Sequence, residues 1–163
     1  KLNIPKINMQ AFFALILLPS ILLALCYVYS RNYDIGWYEV LLMIGSYYVC
    51  NITVGLGFHR LWSHNSYKTN SVVEFILVLL SAGTLQGPVL AWASDHYRHH
   101  TYTDEEQDPH TPLKYSNKIK GLLWSHIGWM IFNTPENKQI TKIVIKKLGS
   151  NKLLLWQFKY SRI

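Results

Sequence analysis

VLLMIGSYYVCNITVGLGFHRLWSH (residues 40–64) runs for nineteen residues without a charge and then meets two histidines, an arginine and a tryptophan. At about 1.5 Å per residue, a nineteen-residue helix nearly matches a hydrocarbon core of roughly 30 Å. Val40–Phe58 therefore reads as a membrane-spanning helix with HRLWSH at its foot. Upstream, AFFALILLPSILLALCYVY (residues 11–29) has the same length and again no charge. Pro19 inside it is tolerable in a membrane helix, where neighbours can satisfy the freed backbone groups. RNYDIGWYE (residues 31–39) is a short polar and aromatic turn between them. Together they read as a transmembrane helical hairpin. A buried helix pair of a soluble protein is the plain alternative, and two such lengths in succession argue against it.

FILVLLSAGTLQGPVLAWAS (residues 75–94) is a third uncharged stretch. Gly83, Gln86, Gly87 and Pro88 within it predict a helix that breaks near residues 86–88, half buried beside the other spans. GLLWSHIGWMIFN (residues 121–133) is too short to cross and reads as interfacial. From Lys138 onward Ile140, Ile143, Val144, Leu148 and Leu153–Trp156 are spaced among lysines. That pattern predicts an amphipathic helix lying on the membrane. The expected fold is an all-α integral membrane protein, one domain over residues 1–163. It has spans at about 11–29 and 40–58, a broken membrane helix at 75–94, and interfacial or cytosolic helices carrying the histidines.

Composition agrees. Half of the 163 residues are hydrophobic and 15% are charged, against roughly 25% in soluble domains. The 11 tyrosines and 6 tryptophans suit a membrane–water boundary. A net charge of +7 could suggest nucleic acid, but residues 137–163 hold seven basic residues and no acidic one, directly after apolar segments. Anionic lipid headgroups are the better partner for such a tail, and no nucleic acid is expected. Cys26 and Cys50 lie inside apolar runs, which disfavours a disulfide framework or a cysteine-based zinc site. Lys1 and Lys6 before a hydrophobic stretch invite a signal-peptide reading, but the stretch is long and no small-residue cleavage site follows. The hairpin loop carries one basic residue, Arg31, whereas Lys1, Lys6, Arg60, Lys68 and the lysine-rich tail lie outside it. The positive-inside tendency places both ends and both histidine clusters in the cytoplasm.

Five of the seven histidines fall into two clusters, HRLWSH (59–64) and HYRHH (96–100). His96, His99 and His100, at i, i+3 and i+4, share one face of a helix, so their imidazoles can converge on a metal. His59 and His64, at i and i+5, are separated by about 500° of rotation on an α-helix. They can share a site only if the helix ends or bends between them, which Ser63–Ser66 permits. Neutral imidazoles without cysteine suit iron, copper or zinc, and five exceed one tetrahedral set. Asp95 and the acidic residues Asp104–Asp108 could accept ring N–H bonds and fix tautomers. The plain alternative is a row of uncoordinated interfacial histidines. His110 and His126 stand alone and suit hydrogen-bonding roles.

GFHRLWSHNSYKT (57–69), WASDHYRHHTYTDEEQDPH (92–110) and SHIGW (125–129) resemble, in order and spacing, the membrane-bound fatty acid desaturases, nearest their Δ9, stearoyl-CoA-type branch. The resemblance runs from about Gly55 to Trp129. It implies that two iron ions are held by His59, His64, His96, His99 and His100. Dioxygen and two electrons then remove two hydrogens from a saturated acyl chain and leave a cis double bond. Gln86 and Trp92 match residues near the bend of the acyl tunnel. The implied partners are a long-chain acyl substrate carried by coenzyme A, acyl carrier protein or a lipid, and an electron donor such as cytochrome b5 or a ferredoxin. The implied location is the bacterial inner membrane or the endoplasmic reticulum. Two departures stand out. The family has a third box, HxxHH, beyond a second hairpin, so this chain is expected to be the N-terminal part of a longer protein or an inactive truncated product. The animal acyl-CoA enzymes have Asn and Arg, which help hold the coenzyme A head group, where this chain has Gly87 and Ser94. Rival readings are a hydroxylase of the same histidine-box class and a basic membrane-anchored scaffold.

Overall fold

The computed structural model describes residues 6–133 and 140–161. Lys1, Lys138 and Arg162 of the expected basic pattern lie outside the described residues. The two apolar runs form helices α1 (Met9–Asn32) and α2 (Trp37–Ser63), of 24 and 27 residues. Both are long and apolar enough to cross a membrane. They overrun the expected spans because polar residues at each end continue the helical hydrogen bonding. The described residues are mostly helical, as expected. Lys6–Ile7 (β1) and Phe132–Asn133 (β2) add a two-residue antiparallel ladder.

In α1 the turn Phe13–Leu17 is widened, and the Leu18 N–H reaches back five residues to the Phe13 carbonyl. Pro19 follows directly. Its ring would clash with a carbonyl four residues back in an α-wound helix, and a widened turn is a common way to absorb it. The connection from α1 to α2 is tight. Tyr29 donates its hydroxyl to Glu39 at 3.1 Å, and Glu39 accepts from the Gly36 N–H at 3.0 Å. Tyr33, Trp37 and Tyr38 around it are 65–83% exposed, an aromatic girdle of the kind that sits at lipid headgroups. Leu23, Leu41 and Leu42 are exposed as well. A large apolar surface of this sort suits lipid rather than water.

Residues group into two compact units, one drawn from Lys1–Leu42 and Tyr102–Lys138, the other from Met43–Thr101 and Gln139–Ile163. In the first, helix α5 (Lys118–Leu123, continued by Trp124–Gly128 and Trp129–Ile131) packs under the loop that follows residue 102. The indole of Trp124 donates to the Pro109 carbonyl at 3.2 Å, and the Lys114 ammonium lies 3.6 Å from its ring centre. Asp108, buried, accepts from the backbone N–H groups of Asp104 and His110, both at 3.1 Å. The His110 ring lies against Trp129, and His126 is exposed.

The second unit holds the core and the HRLWSH and HYRHH clusters. The third apolar run forms α3 (Ser71–Gly83) and α4 (Val89–Tyr102). Between them Leu85 and Gly87 have φ of 56° and 75°, and Pro88 follows. Gly87 takes that left-handed conformation without steric cost. The tail forms two short helices, α6 (Lys142–Leu148) and α7 (Lys152–Tyr160). A single helix resting on lipid was expected from its pattern. Instead Val144 and Leu154 pack into a core with Phe58, Trp62, Leu77, Val78, Val89, Leu90 and Ala93. Polar contacts lock this core: Glu74 accepts from the Trp62 indole at 3.0 Å and from Asn151 at 2.7 Å, and Ser94 accepts from the Thr141 N–H at 3.1 Å. The lysines of α6 and α7 stay exposed.

Candidate metal centre

His59 and His64 do come together, but by a route different from the expected bend. From Thr53 to Ser63 the helix keeps going with hydrogen bonds that reach back five residues. The His64 N–H donates to the His59 carbonyl at 3.0 Å, and the Ser63 hydroxyl donates to the Phe58 carbonyl at 2.7 Å. In such a winding i and i+5 stack on one face, and the two imidazole centroids are 4.5 Å apart. Gly57 and Trp62 form another i, i+5 pair in the same turns. A Cβ on Gly57 would lie 2.9 Å from the Trp62 ring, so glycine is what lets the indole close over the helix. Stretches of this winding are rare and recur at functional sites. Asn65 then ends the helix at φ 50°, and Ser66 returns both its N–H and its hydroxyl to the Arg60 carbonyl. Asparagine is among the few residues that take this position readily.

On α4, His96 and His100 stand one turn apart and face the HRLWSH pair. The Nε2 atoms of His64 and His96 are 3.0 Å apart, and those of His100 and His96 are 3.2 Å apart. One nitrogen from each of His59, His64, His96 and His100 falls within 4.8 Å of all the others. Two nitrogens each about 2.1 Å from one cation, at 90–110° to each other, lie about 3.0–3.4 Å apart. The His64–His96 and His96–His100 pairs are thus spaced as neighbouring ligands of one ion, and their chemistry suits a transition metal that accepts imidazole. His99 is not in this four-nitrogen set; its ring centre is 5.6 Å from that of His100.

Burial favours the neutral form of two of the four, His96 and His64. The His96 imidazole is pushed down to about 3, first by burial and then by His100, His59, His64 and His99. His64 is lowered too, first by burial, then by His59, His100 and Lys147. Neutral imidazole is the form that binds metal, so no proton has to leave His96 at neutral pH. Asp95 directly precedes His96 on α4. Its carboxylate accepts from Arg98 at 2.5 Å, and burial raises it to about 6 against the pull of Arg98.

Gln86 and Trp92 are joined: the Trp92 indole donates to the Gln86 side-chain oxygen at 3.1 Å. Trp92 also stacks on His96 at 4.7 Å between ring centres, and its edge meets Phe58. The Gln86–Trp92 pair is therefore anchored to the histidine set through His96. A cleft of about 280 Å³ beside the set is lined by Trp62, Ser63, Tyr97, Ile143 and Lys147, among others. The α6 residues there carry only the tail's amphipathic pattern, and no local signal marks them as lining the cleft. Their place depends on contacts with residues far away in sequence.

The family model for fatty acid desaturase matches residues 35–162. The chain is 31% identical over 157 residues to a stearoyl-CoA desaturase of Mesocricetus auratus, covering 94% of this chain and 38% of that protein. It is 33% identical over 135 residues to the Delta(9)-fatty-acid desaturase fat-6 of Caenorhabditis elegans, covering 82% and 38%. An acyl-CoA Delta(11) desaturase of Spodoptera littoralis is 33% identical over 141 residues, with 85% and 38% covered. The chain thus spans about two fifths of the length of these relatives. A match across most of the chain, around histidines gathered at the foot of an apolar helix, places this protein in the fatty acid desaturase family.

Proposed function

We propose that the protein carrying this chain is a membrane-bound oxidoreductase that introduces a cis double bond, at the Δ9 position, into a long saturated acyl chain. The observation that supports this most is the convergence of four imidazole nitrogens from α2 and α4, with Trp92 stacked on one of them. His59, His64, His96 and His100 would hold iron, and His99 with donors outside this set would complete a second iron site. Iron bound there supplies the redox chemistry by which dioxygen and two electrons take two hydrogens from the chain. The protein's own work is placement. Burial holds His96 neutral, Trp62 and Phe58 wall the site, and the Gln86–Trp92 pair shapes the approach of the acyl chain.

The relatives' names favour a coenzyme A thioester as carrier. Ser94 takes no part in holding the head group, because it is 1% exposed and its hydroxyl is spent on the Leu90 carbonyl and the Thr141 N–H. Other residues must do so. A small electron-transfer protein such as cytochrome b5 or a ferredoxin supplies the electrons, and an acidic one would suit the exposed lysines of α6 and α7. The histidine clusters face the cytoplasm, from the side of the membrane that carries the basic residues.

The test is expression of the full-length protein in a host without its own desaturase, followed by mass spectrometry of the acyl chains. A new monounsaturated chain, absent in the His96→Ala variant, is the expected result. Iron-loaded protein that yields a hydroxylated chain, or no new product, would overturn the reading.

A further inference from the structure

Gln157 lies on α7, outside the histidine set, yet it reaches the interruption between α3 and α4 from both sides. Its Nε2 donates to the Ser81 hydroxyl oxygen at 2.6 Å, 76 positions away, and its Oε1 accepts from the Val89 N–H at 2.9 Å, 68 positions away. Ser81 is near the end of α3 and Val89 begins α4; they are 2% and 0% exposed. One side chain therefore spans the break that carries Gln86, Gly87 and Pro88. The Val89 N–H belongs to the first turn of α4, where no carbonyl one turn earlier is available, so a side chain must serve it.

The chemistry at both ends calls for an amide. The Ser81 hydroxyl donates its own hydrogen to the Val78 carbonyl at 2.6 Å, so it shows Gln157 only a lone pair and needs a donor. Val89 needs an acceptor. Glutamine offers both at once, a carboxylate offers only acceptors, and an aliphatic side chain offers neither. What the brace holds is the segment leading to the Gln86–Trp92 pair, and Trp92 is stacked on His96.

We propose that Gln157 is a positioning residue for specificity. It fixes the width of the α3–α4 break, hence the placement of Gln86 and Trp92 against the histidines, and hence which carbon of the acyl chain is presented for hydrogen removal. This rests on the desaturase reading above. A displacement of a fraction of an ångström at such a guide is enough to change which bond reacts.

The experiment compares the full-length protein with Gln157→Leu, Gln157→Glu and Ser81→Ala in a host without its own desaturase. Iron content and the distribution of double-bond positions are measured for each. The expected result is near-parental iron, with the ratio of the major to the minor positional isomer reduced by about threefold or more in Gln157→Leu and less in Ser81→Ala and Gln157→Glu. A parental isomer ratio in Gln157→Leu, however much total activity is lost, would make the residue merely structural and overturn the proposal. If Gln157→Leu does not accumulate, an unchanged ratio in Ser81→Ala overturns it instead. A parent protein that yields no unsaturated chain refutes the desaturase reading, and the brace is then judged by hydrogen exchange of residues 84–92 in purified protein. Faster exchange in Gln157→Leu supports it, and equal exchange sinks it.

Discussion

Gly57→Ala puts the winding of α2 to a direct test. A Cβ at position 57 would stand 2.9 Å and 3.3 Å from two atoms of the Trp62 ring. The ring has little freedom to retreat. It is 3% exposed, meets Phe58 edge to face at 5.8 Å, and donates its indole N–H to Glu74. Overpacking of this kind costs about 1–3 kcal/mol. If the indole swings far enough to lose Glu74, a bond to a charged group worth about 1.5–3 kcal/mol is weakened as well. Against this, alanine gains up to about 1 kcal/mol over glycine inside a helix. The expected net is a loss of about 1–3 kcal/mol. Gly55, two residues away in the same widened turns, has nothing within 4 Å of its notional Cβ. Gly55→Ala should therefore be neutral or stabilising by up to about 1 kcal/mol. Thermal unfolding of the two variants in detergent, followed by tryptophan fluorescence, separates these expectations. Equal midpoints would refute the i, i+5 stacking of Gly57 and Trp62, and with it the winding that brings His59 to His64.

Three further outcomes can be checked on the same material. Glu74→Ala leaves both the Trp62 indole and the Asn151 amide without their acceptor and should cost about 2–4 kcal/mol in the same melts, whereas Glu74→Gln, which keeps an oxygen, should lose about half of that. Asn65→Gly should be neutral or slightly stabilising and Asn65→Val destabilising by about 1–2 kcal/mol, because position 65 has φ 50°; a tolerant valine would mean a different helix stop. His96→Ala should remove most bound metal, measured as metal per protein, and His99→Ala distinctly less, since His96 carries the nitrogen that both His64 and His100 approach. Equal losses would show that the four-nitrogen set does not act as one site.

The parts of the fold legible in sequence are those decided by local composition. Charge-free runs ending in polar residues were enough to mark α1 and α2. Gln86–Gly87–Pro88 was enough to mark the interruption between α3 and α4. The likeness to desaturases rests on the same local strings. The winding of α2 was not legible, because a reach of five residues leaves no periodic trace over two or three turns. The pairs Gly57–Trp62 and His59–His64 are its only visible sign. The packing of the tail was not legible for a different reason. Lysines alternating with Val144, Leu148 and Leu154 have the same pattern whether the apolar side meets lipid or protein. What decides is contact with distant partners, such as Gln157 with Ser81 and Asn151 with Glu74, which no local window contains.

The widened helix also constrains how this histidine pair can change through evolution. In an α-wound helix, two imidazoles share a face with three residues between them; here there are four. Deleting one of the four intervening residues would restore the usual spacing, but only for a helix that had also given up its five-residue reach. Losing the five-residue reach alone parts the histidines, because i and i+5 stand about 140° apart on an α-wound helix, so this spacing works only with this pitch. A gap of four residues at the foot of an apolar helix is accordingly a record of backbone pitch as well as a chemical signature.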